Sequence, residues 1–355
     1  MPWAHRIMVP LSPFLALLCT CVCVTSATAK SLDASYGLAF SLSMDYGVAS
    51  AYFPNGTYRD IAKIEGGPRF KDYMRHIDPV GAPDSVVSEH LQAEDSFLGG
   101  VLKHLWPIRH PSNNPLTAMF KALRSASESA LERPVSIVEI AVNCFPHGPR
   151  LSTFFAEIDA ALEDSSMEKL RPPRTNGEMA ARAKGIEGYC GDEPGDPCDP
   201  ERVVLSVENT RSGLTIIMWT ETSGSYDFHR VLHSPELGQD SLDNCERRNA
   251  NQSCIDELKN SIRTVAKMPL KFNWGGLERI EAIVLLGEGA VDARLNGILR
   301  DILQEQYATE VIDVMLSSAS TDPIFLASRN LARTDWTMKD NGNKAADIQD
   351  RWELR

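Results

Sequence analysis

Over residues 38–64, short apolar stretches alternate with turn-forming residues at Asp45-Tyr46-Gly47 and Pro54-Asn55-Gly56, a pattern that predicts three strands in a meander. Residues 66–113 mix Pro, Gly, His and Asp without a period that assigns an element. The next stretch has helical spacing. Leu116, Met119, Phe120, Leu123, Ala126, Ala130 and Leu131 fall on one face, Asn114 is placed to cap the free amides, and Pro115 takes the tolerated first position. Pro134 ends it, a buried-type strand follows over 137–142, and a second helix carries Leu151, Phe154, Phe155, Ile158 and Leu162 on one side. The order then recurs. Strands over 203–207, 214–219 and 226–232, separated by 209–213 and Ser223-Gly224-Ser225, predict another meander. A helical stretch over 255–266, a buried strand over 282–286 and a helix bearing Leu295, Ile298, Leu299, Ile302 and Leu303 complete the second copy. Meander, helix, strand, helix occurs twice, which predicts two similar α/β lobes, each a mixed sheet covered by helices, facing each other across a cleft.

Composition agrees with a folded chain and narrows its partners. Of 355 residues, 43% are hydrophobic and 24% charged, so disorder is excluded as the main state. The net charge is -12 and no stretch gathers the basic residues, which argues against nucleic acid and anionic membrane as partners. At the start, His5 and Arg6 precede an apolar run over 7–24, and Ala27-Thr28-Ala29 offers a small-x-small cleavage site. Residues 1–29 therefore read as a secretory signal peptide. An uncleaved single-span anchor is the other reading, against which Pro10 and Pro13 interrupt the run. Cleavage leaves no membrane segment and takes the net charge to -13, because the signal holds one Arg and no acid. Cys19, Cys21 and Cys23 leave with it. Among the rest, Cys190 with Cys198 and Cys245 with Cys254 would each close a short polar loop, as local disulfides do; neither pair has the spacing of zinc or redox chemistry. Cys144 follows apolar strand residues and reads as a buried free thiol rather than a nucleophile. Asn55-Gly56-Thr57 and Asn251-Gln252-Ser253 are glycosylation sequons. The expected location is outside the cell or in the lumen of the endoplasmic reticulum, and no retention tetrapeptide ends the sequence given.

The doubled unit resembles the actin-like ATPase superfamily, and particular segments resemble the ATPase domain of the seventy-kilodalton heat-shock chaperones. Leu42-Ser43-Met44-Asp45-Tyr46-Gly47 followed by Ala51-Tyr52-Phe53-Pro54-Asn55-Gly56 resembles that family's first phosphate loop. Cys144-Phe145-Pro146, after the strand over 137–142, stands in place of its Pro-Ala-Tyr-Phe segment. Asn176-Gly177-Glu178-Met179-Ala180-Ala181 resembles the Asn-Glu-Pro-Thr-Ala-Ala joint between lobes, and Leu237-Gly238 with Asp240-Ser241-Leu242-Asp243-Asn244 the Leu-Gly-Gly-Glu-Asp-Phe-Asp-Asn stretch. Ile283-Val284-Leu285-Leu286-Gly287 is similar to the adenosine motif, and Asp322-Pro323-Ile324-Phe325-Leu326-Ala327 to the helix that closes the domain. The resemblance implies a two-lobed actin-like ATPase fold, a duplicated ribonuclease H-like unit, with lobe I over 30–175, lobe II over 176–335 and a polar tail over 336–355.

It also implies a nucleotide site, and here the chain departs from the pattern. Phosphoryl transfer needs amides, a cation and an aligned water around the phosphates, and glycines let backbone approach an oxyanion. Asp45 and Gly47 match the residues that would hold a cation, such as Mg²⁺, and phosphate, with Asp45 the candidate metal ligand. The hydroxyl pair after the glycine is replaced by Val48 and Ala49. The second loop, Asp-x-Gly-Gly-Gly-Thr in the family, reads Glu208-Asn209-Thr210-Arg211-Ser212-Gly213, with side chains where the phosphate would lie. Gly287 and Gly289 keep two glycines of the adenosine motif, whereas its stacking Arg is Val291. Between Asn244 and the helix near Ile255 only a short loop is expected, bracketed by Cys245 and Cys254, so the helical insertion that clamps the base is largely missing. ATP and Mg²⁺ binding is accordingly expected to be weak or lost, with no residue assigned a catalytic role.

Other chemistries have no anchor. There is no Gly-x-Ser-x-Gly elbow, His-Glu-x-x-His or Walker loop. His229 and His233 on a strand are not a ligand pair without a third residue. Asp192, Glu193, Asp196, Asp199 and Glu201 lack the spacing of a dedicated calcium loop and read as a solvated disulfide loop. Three roles remain: a secretory-pathway scaffold with hydrolysis lost that binds an unidentified protein partner, an ATP-binding chaperone-like ATPase, and a secreted interaction factor using residues 66–113.

Overall fold

The computed structural model describes residues 35–77, 114–146, 148, 150–189, 198–247, 251–272, 275–316 and 322–353. The chain divides into two compact units, 35–338 and a second made of 1–34 with 339–355. Both sheets, the core and the site lie in the first unit; in the second, the described residues belong to the end of the last helix.

The first meander consists of β1 (Gly37–Leu42), β2 (Tyr46–Tyr52) and β3 (Tyr58–Glu65), paired antiparallel. Helix α1 (Pro68–Arg75) follows, then α2 (Pro115–Leu131), β4 (Glu139–Val142), α3 (Arg150–Asp164) and the short β5 (Arg174–Thr175). β4 joins β1 in parallel and β5 joins β4, giving the order β3-β2-β1-β4-β5. Asn114 caps α2 as its sequence predicts, its side chain accepting from Leu116 N at 2.9 Å, a bond typically worth about 1 kcal/mol. Large side chains of the sheet, Leu38, Phe40 and Leu42 among them, pack on Leu116, Phe120 and Leu123 of α2 and on Phe154 and Ile158 of α3. Alternation of side chains puts Ala39 and Ala141 on the opposite face.

Helix α4 (Asn176–Ala183) leads to the second meander, β6 (Arg202–Asn209), β7 (Leu214–Thr222) and β8 (Ser225–Ser234). Then come α5 (Gln239–Arg247), α6 (Asn251–Val265), the hairpin of β9 (Leu270–Phe272) and β10 (Gly275–Leu277), and β11 (Ala282–Leu286), which runs parallel to β6. The sheet order is β11-β6-β7-β8. A 3₁₀ turn (Glu288–Val291) precedes α7 (Ala293–Leu303), α8 (Thr309–Leu316) and α9 (Leu326–Glu353). Val203, Leu205 and Val207 of β6, with Leu214, Ile216 and Met218 of β7, bury one face against α6, α7 and α8.

The other face of this sheet is where the lobes join. Val204, Ile217, Trp219, Val231, Val284 and Leu286 belong to the same buried cluster as Phe40 and Phe120 of the first lobe, so one core crosses the boundary. α4 lies within it, packing on β4 and β5 as well as on β6 and β11. A Cβ on Gly177 would sit 2.5 Å from both Ser206 Oγ and Trp219 Cζ2, so only glycine lets the helix approach the second sheet there. α9, at the end of the stretch expected as lobe II, covers the first sheet instead. Ala327, Leu331 and Ala332 pack on Ala39 and Ala141, and Asp335 Oδ2 accepts from Leu38 N at 2.9 Å. Small residues on that face permit the close approach.

Two mixed sheets covered by helices are therefore present, and the two meanders, the strand over 282–286 and the helices around Leu123, Phe154 and Leu299 occur where the pattern predicts them. α4, β5, the β9–β10 hairpin and α8 stand where the sequence pattern assigns no element, and three expectations differ. α1 occupies part of the unassigned 66–113 stretch. Asp243 and Asn244 lie inside α5, so a helix rather than a loop precedes α6. The stretch over 336–355, expected as a tail, continues α9 to Glu353. The signal sequence, residues 78–113, Cys190 and the acids Asp192, Glu193 and Asp196 lie outside the described residues, as do the side chains of Cys245, Asn251 and Cys254. Cys198 is disulfide-bonded and Cys144 is a free, buried thiol. Among the described residues, no helix is long and apolar enough to cross a membrane.

Candidate functional site

The chain leaves β1 through Ser43-Met44-Asp45 and leaves β6 through Thr210-Arg211-Ser212-Gly213, and these two turns meet. Asp45, 1% exposed, accepts from Ser212 N at 2.7 Å and from Ser212 Oγ at 2.5 Å. Lys71 Nζ and Arg75, both on α1, lie 3.8 and 3.5 Å from its Oδ1. Burial pushes the Asp45 carboxyl up, but the bonds from Ser212 and Thr210 and the charge of Lys71 outweigh it and hold the group below the usual carboxylate range. On Gly213 a Cβ would collide with Met44 Sδ, which shows how closely the turns are pressed together. The second turn is also held from behind. Gln239 N donates to Thr210 O at 3.1 Å and Asp240 N to Arg211 O at 2.8 Å, so amides at the start of α5 are spent on the turn's carbonyls.

Glu208, at the end of β6, faces the ends of β1 and β5. Ser43 Oγ donates to it, and Asn176 Nδ2 lies 3.3 and 3.2 Å from its two oxygens. Asn176 is fixed in turn by Ser41 Oγ at 2.8 Å and Leu42 O at 3.1 Å. No cation approaches Glu208 within ion-pair distance among the described residues, and burial raises its pKa to about 7 despite the bonds from Ser43 and Asn176.

Gly47 lacks a side chain for a different reason than phosphate approach: a Cβ there would lie 2.7 Å from Met119 Sδ and 3.0 Å from Leu123 Cδ1, so this glycine seats α2 on the sheet. Gly287, at φ 84°, and Gly289 both abut Asn209, whose backbone and side chain would collide with any Cβ added. Outside these contacts an ionic fringe crosses the seam. Lys63 pairs with Glu288 and Arg211 NH2 lies 2.9 Å from Glu65 across it, while Arg211 NH2 also lies 3.8 Å from Glu288 and Lys71 3.1 Å from Glu65 within their own lobes.

On the far side, the Cys144-Phe145-Pro146 segment packs against β8. Cys144 Sγ is 3.5 Å from His233 Nδ1, which is also 3.0 Å from Thr215 Oγ1, while His233 Nε2 is 3.0 Å from Met74 O. Phe145 meets Phe228 edge-on with centroids 6.1 Å apart. Burial drops the His233 pKa to about 4 and pushes the Cys144 thiol well up, helped by the charge of Glu208. At neutral pH the pair is thus a thiol and a neutral imidazole, with Nε2–H donating to Met74 O, and not an activated thiolate. His229 bonds Thr220 Oγ1 at 2.9 Å. Among the described residues, no three His, Cys, Asp or Glu side chains are grouped to hold a metal.

Asp45, Glu208, Gly287 and Gly289 are therefore gathered at one seam, with Gly47 one layer behind it. Ser43, Asn176 and Ser212, the groups that complete the seam, are absent from the sequence-based site, as is the Cys144–His233 contact. Ser43 and Ser212 sit in turns, where small polar residues are common, and Asn176 opens α4; nothing in their spacing marks them as bonding partners of Glu208 and Asp45. Comparison with protein-family models and with curated proteins finds no match to the chain.

Proposed function

We propose that the chain is a secretory-pathway glycoprotein built on a duplicated, actin-like ATPase fold and working as a non-hydrolysing scaffold that binds another protein. The strand orders support the fold reading. Each sheet runs third, second and first strand of its meander, then a strand parallel to the first. The observation that carries the loss of hydrolysis is the engagement of Asp45. The carboxylate that would hold a cation in the family pattern spends both oxygens on Ser212 of the facing turn, a residue standing where the family has glycine. Gly287 and Gly289, which would admit the nucleotide, are filled by Asn209. A triphosphate would have to displace these bonds and separate a packed seam, losing hydrogen bonds worth about 1.5–3 kcal/mol each where a charge takes part.

Isothermal calorimetry of the folded protein with ATP and Mg²⁺ tests the reading. No saturable heat is expected at micromolar nucleotide. Clear binding there would retire the scaffold in favour of an ATP-binding, chaperone-like ATPase.

A further inference from the structure

The β2–β3 hairpin carries one of the two sequons in a geometry that a consensus sequence alone does not imply. Phe53 and Thr57 are its last cross-strand pair, Phe53 N donating to Thr57 O at 3.0 Å and Gly56 N to Phe53 O at 2.9 Å. Pro54, Asn55 and Gly56 form a three-residue loop, closed by Gly56 at φ 82°. Asn55 Oδ1 accepts from Thr57 N at 3.1 Å and from Thr57 Oγ1 at 2.7 Å. The carboxamide oxygen is thus turned onto Thr57, and among the described residues nothing accepts from Nδ2 of this exposed side chain.

Cross-strand partners present their side chains on one face, about 5 Å apart. The bond to Thr57 Oγ1 brings the Asn55 carboxamide over that same face. Phe53 is there, half-buried, packed against the core of the first lobe. Arg59, two residues beyond Thr57, points the same way and reaches Ala130 O at the end of α2 at 2.6 Å. The Asn55 carboxamide, the partly exposed Phe53 and the Thr57 side chain thus share one face of the hairpin.

We propose that Asn55 carries an N-linked glycan whose first sugar, an N-acetylhexosamine, packs on Phe53 and becomes a structural part of the hairpin. This rests on the secretory reading above. In the transfer, Asn55 Nδ2 attacks C1 of the reducing-end sugar of a polyprenyl-diphosphate-linked donor. The N–C1 bond forms, the C1–O bond breaks, the diphosphate leaves with the electron pair, and Nδ2 gives a proton to a base of the transferase. The apolar C–H face of the sugar then meets the negative face of an aromatic ring, the electrostatic match that favours edge-to-face ring pairs. Asn251 differs: it opens α6, and two residues before it stands Asn249, with no ring at that spacing.

The test uses the full chain made in secretory-competent cells. Glycopeptide mass spectrometry reads occupancy at both sequons. An endoglycosidase trims the glycan to one sugar, and thermal unfolding compares this form with the unglycosylated wild-type chain from cells treated with a transfer inhibitor. Asn55 is expected to be occupied, the one-sugar form to melt about 2–4 °C higher, and the gap to vanish in Phe53→Leu. Occupancy of Asn55 with no gap, or an equal gap in Phe53→Leu, would overturn the proposal. A bare Asn55 beside an occupied Asn251 would overturn it while leaving the secretory reading intact. Absence of glycan at both, with the chain in the cytosol, would overturn both.

Discussion

Glu208, buried, and His233, half-buried, lie on either side of Cys144 and titrate in opposite senses. The folded-state pKa of Glu208, about 7, is raised above its usual 4.5. Its contribution is therefore fully present below about pH 4.5 and is lost as pH rises to 7. His233 is lowered to about 4 from 6.5, so its contribution is present above pH 6.5 and is lost as pH falls towards 4. Between pH 4.5 and 6.5 the two slopes, each about 1.4 kcal/mol per pH unit, oppose one another. Relative to wild type, Glu208→Gln is expected to gain stability with rising pH across this window, by about 2–3 kcal/mol in total, and His233→Gln to lose a similar amount. Urea midpoints at pH 4.5, 5.5 and 6.5 read the difference. Variant curves parallel to wild type would remove the argument that these groups are held out of water in the forms described.

At the scale of elements, legibility follows the reach of the interactions. Each meander announces itself because apolar strand residues and turn residues alternate within a few positions, and α2 because its cap and its stripe lie in one short window. α1 carries only Phe70 and Met74 as buried residues among Arg69, Lys71, Asp72 and Arg75, too few to mark a helical period. The seam is illegible for another reason. Its bonds join Ser41 to Asn176, Ser43 to Glu208 and Asp45 to Ser212 across 135, 165 and 167 residues, and no local spacing encodes such pairs. Glycines are ambiguous too: Gly287 looks like a phosphate contact in sequence but here makes room for Asn209. Gly287→Ala should therefore destabilise the protein by at least about 2 kcal/mol, from its positive φ and the collision with Asn209 together. Gly297→Ala, inside α7 with open space around it, should instead stabilise by about 0.5–1 kcal/mol. Denaturant unfolding of the two variants checks both signs, and a neutral Gly287→Ala would contradict the packing described.

The unit over 35–338 behaves as one body if its core is one body. Val204, Trp219 and Leu286 of the second lobe share a buried cluster with Phe40, Phe120 and Ile140 of the first, and α4 packs on both sheets. Unfolding followed by the intrinsic fluorescence of the tryptophans, buried Trp219 among them, and by far-ultraviolet circular dichroism is expected to give coincident transitions. Two separated transitions would mean that the lobes hold independently and that the seam contributes little. Small-angle scattering should likewise be unchanged by Mg²⁺-ATP, since a nucleotide that does not bind shifts no conformational population.

The bond between Leu38 and Asp335 spans 297 residues, and α9 roofs the very strand that starts the first sheet. During synthesis, at about 5–20 residues per second, roughly 15–60 s pass between the emergence of that strand and of the helix that shelters it. Through this interval the small-residue face of the first sheet, Ala39 and Ala141 among it, lacks the helix that covers it in the folded chain. The first sheet thus completes its shelter only once the segment around Leu331 has emerged.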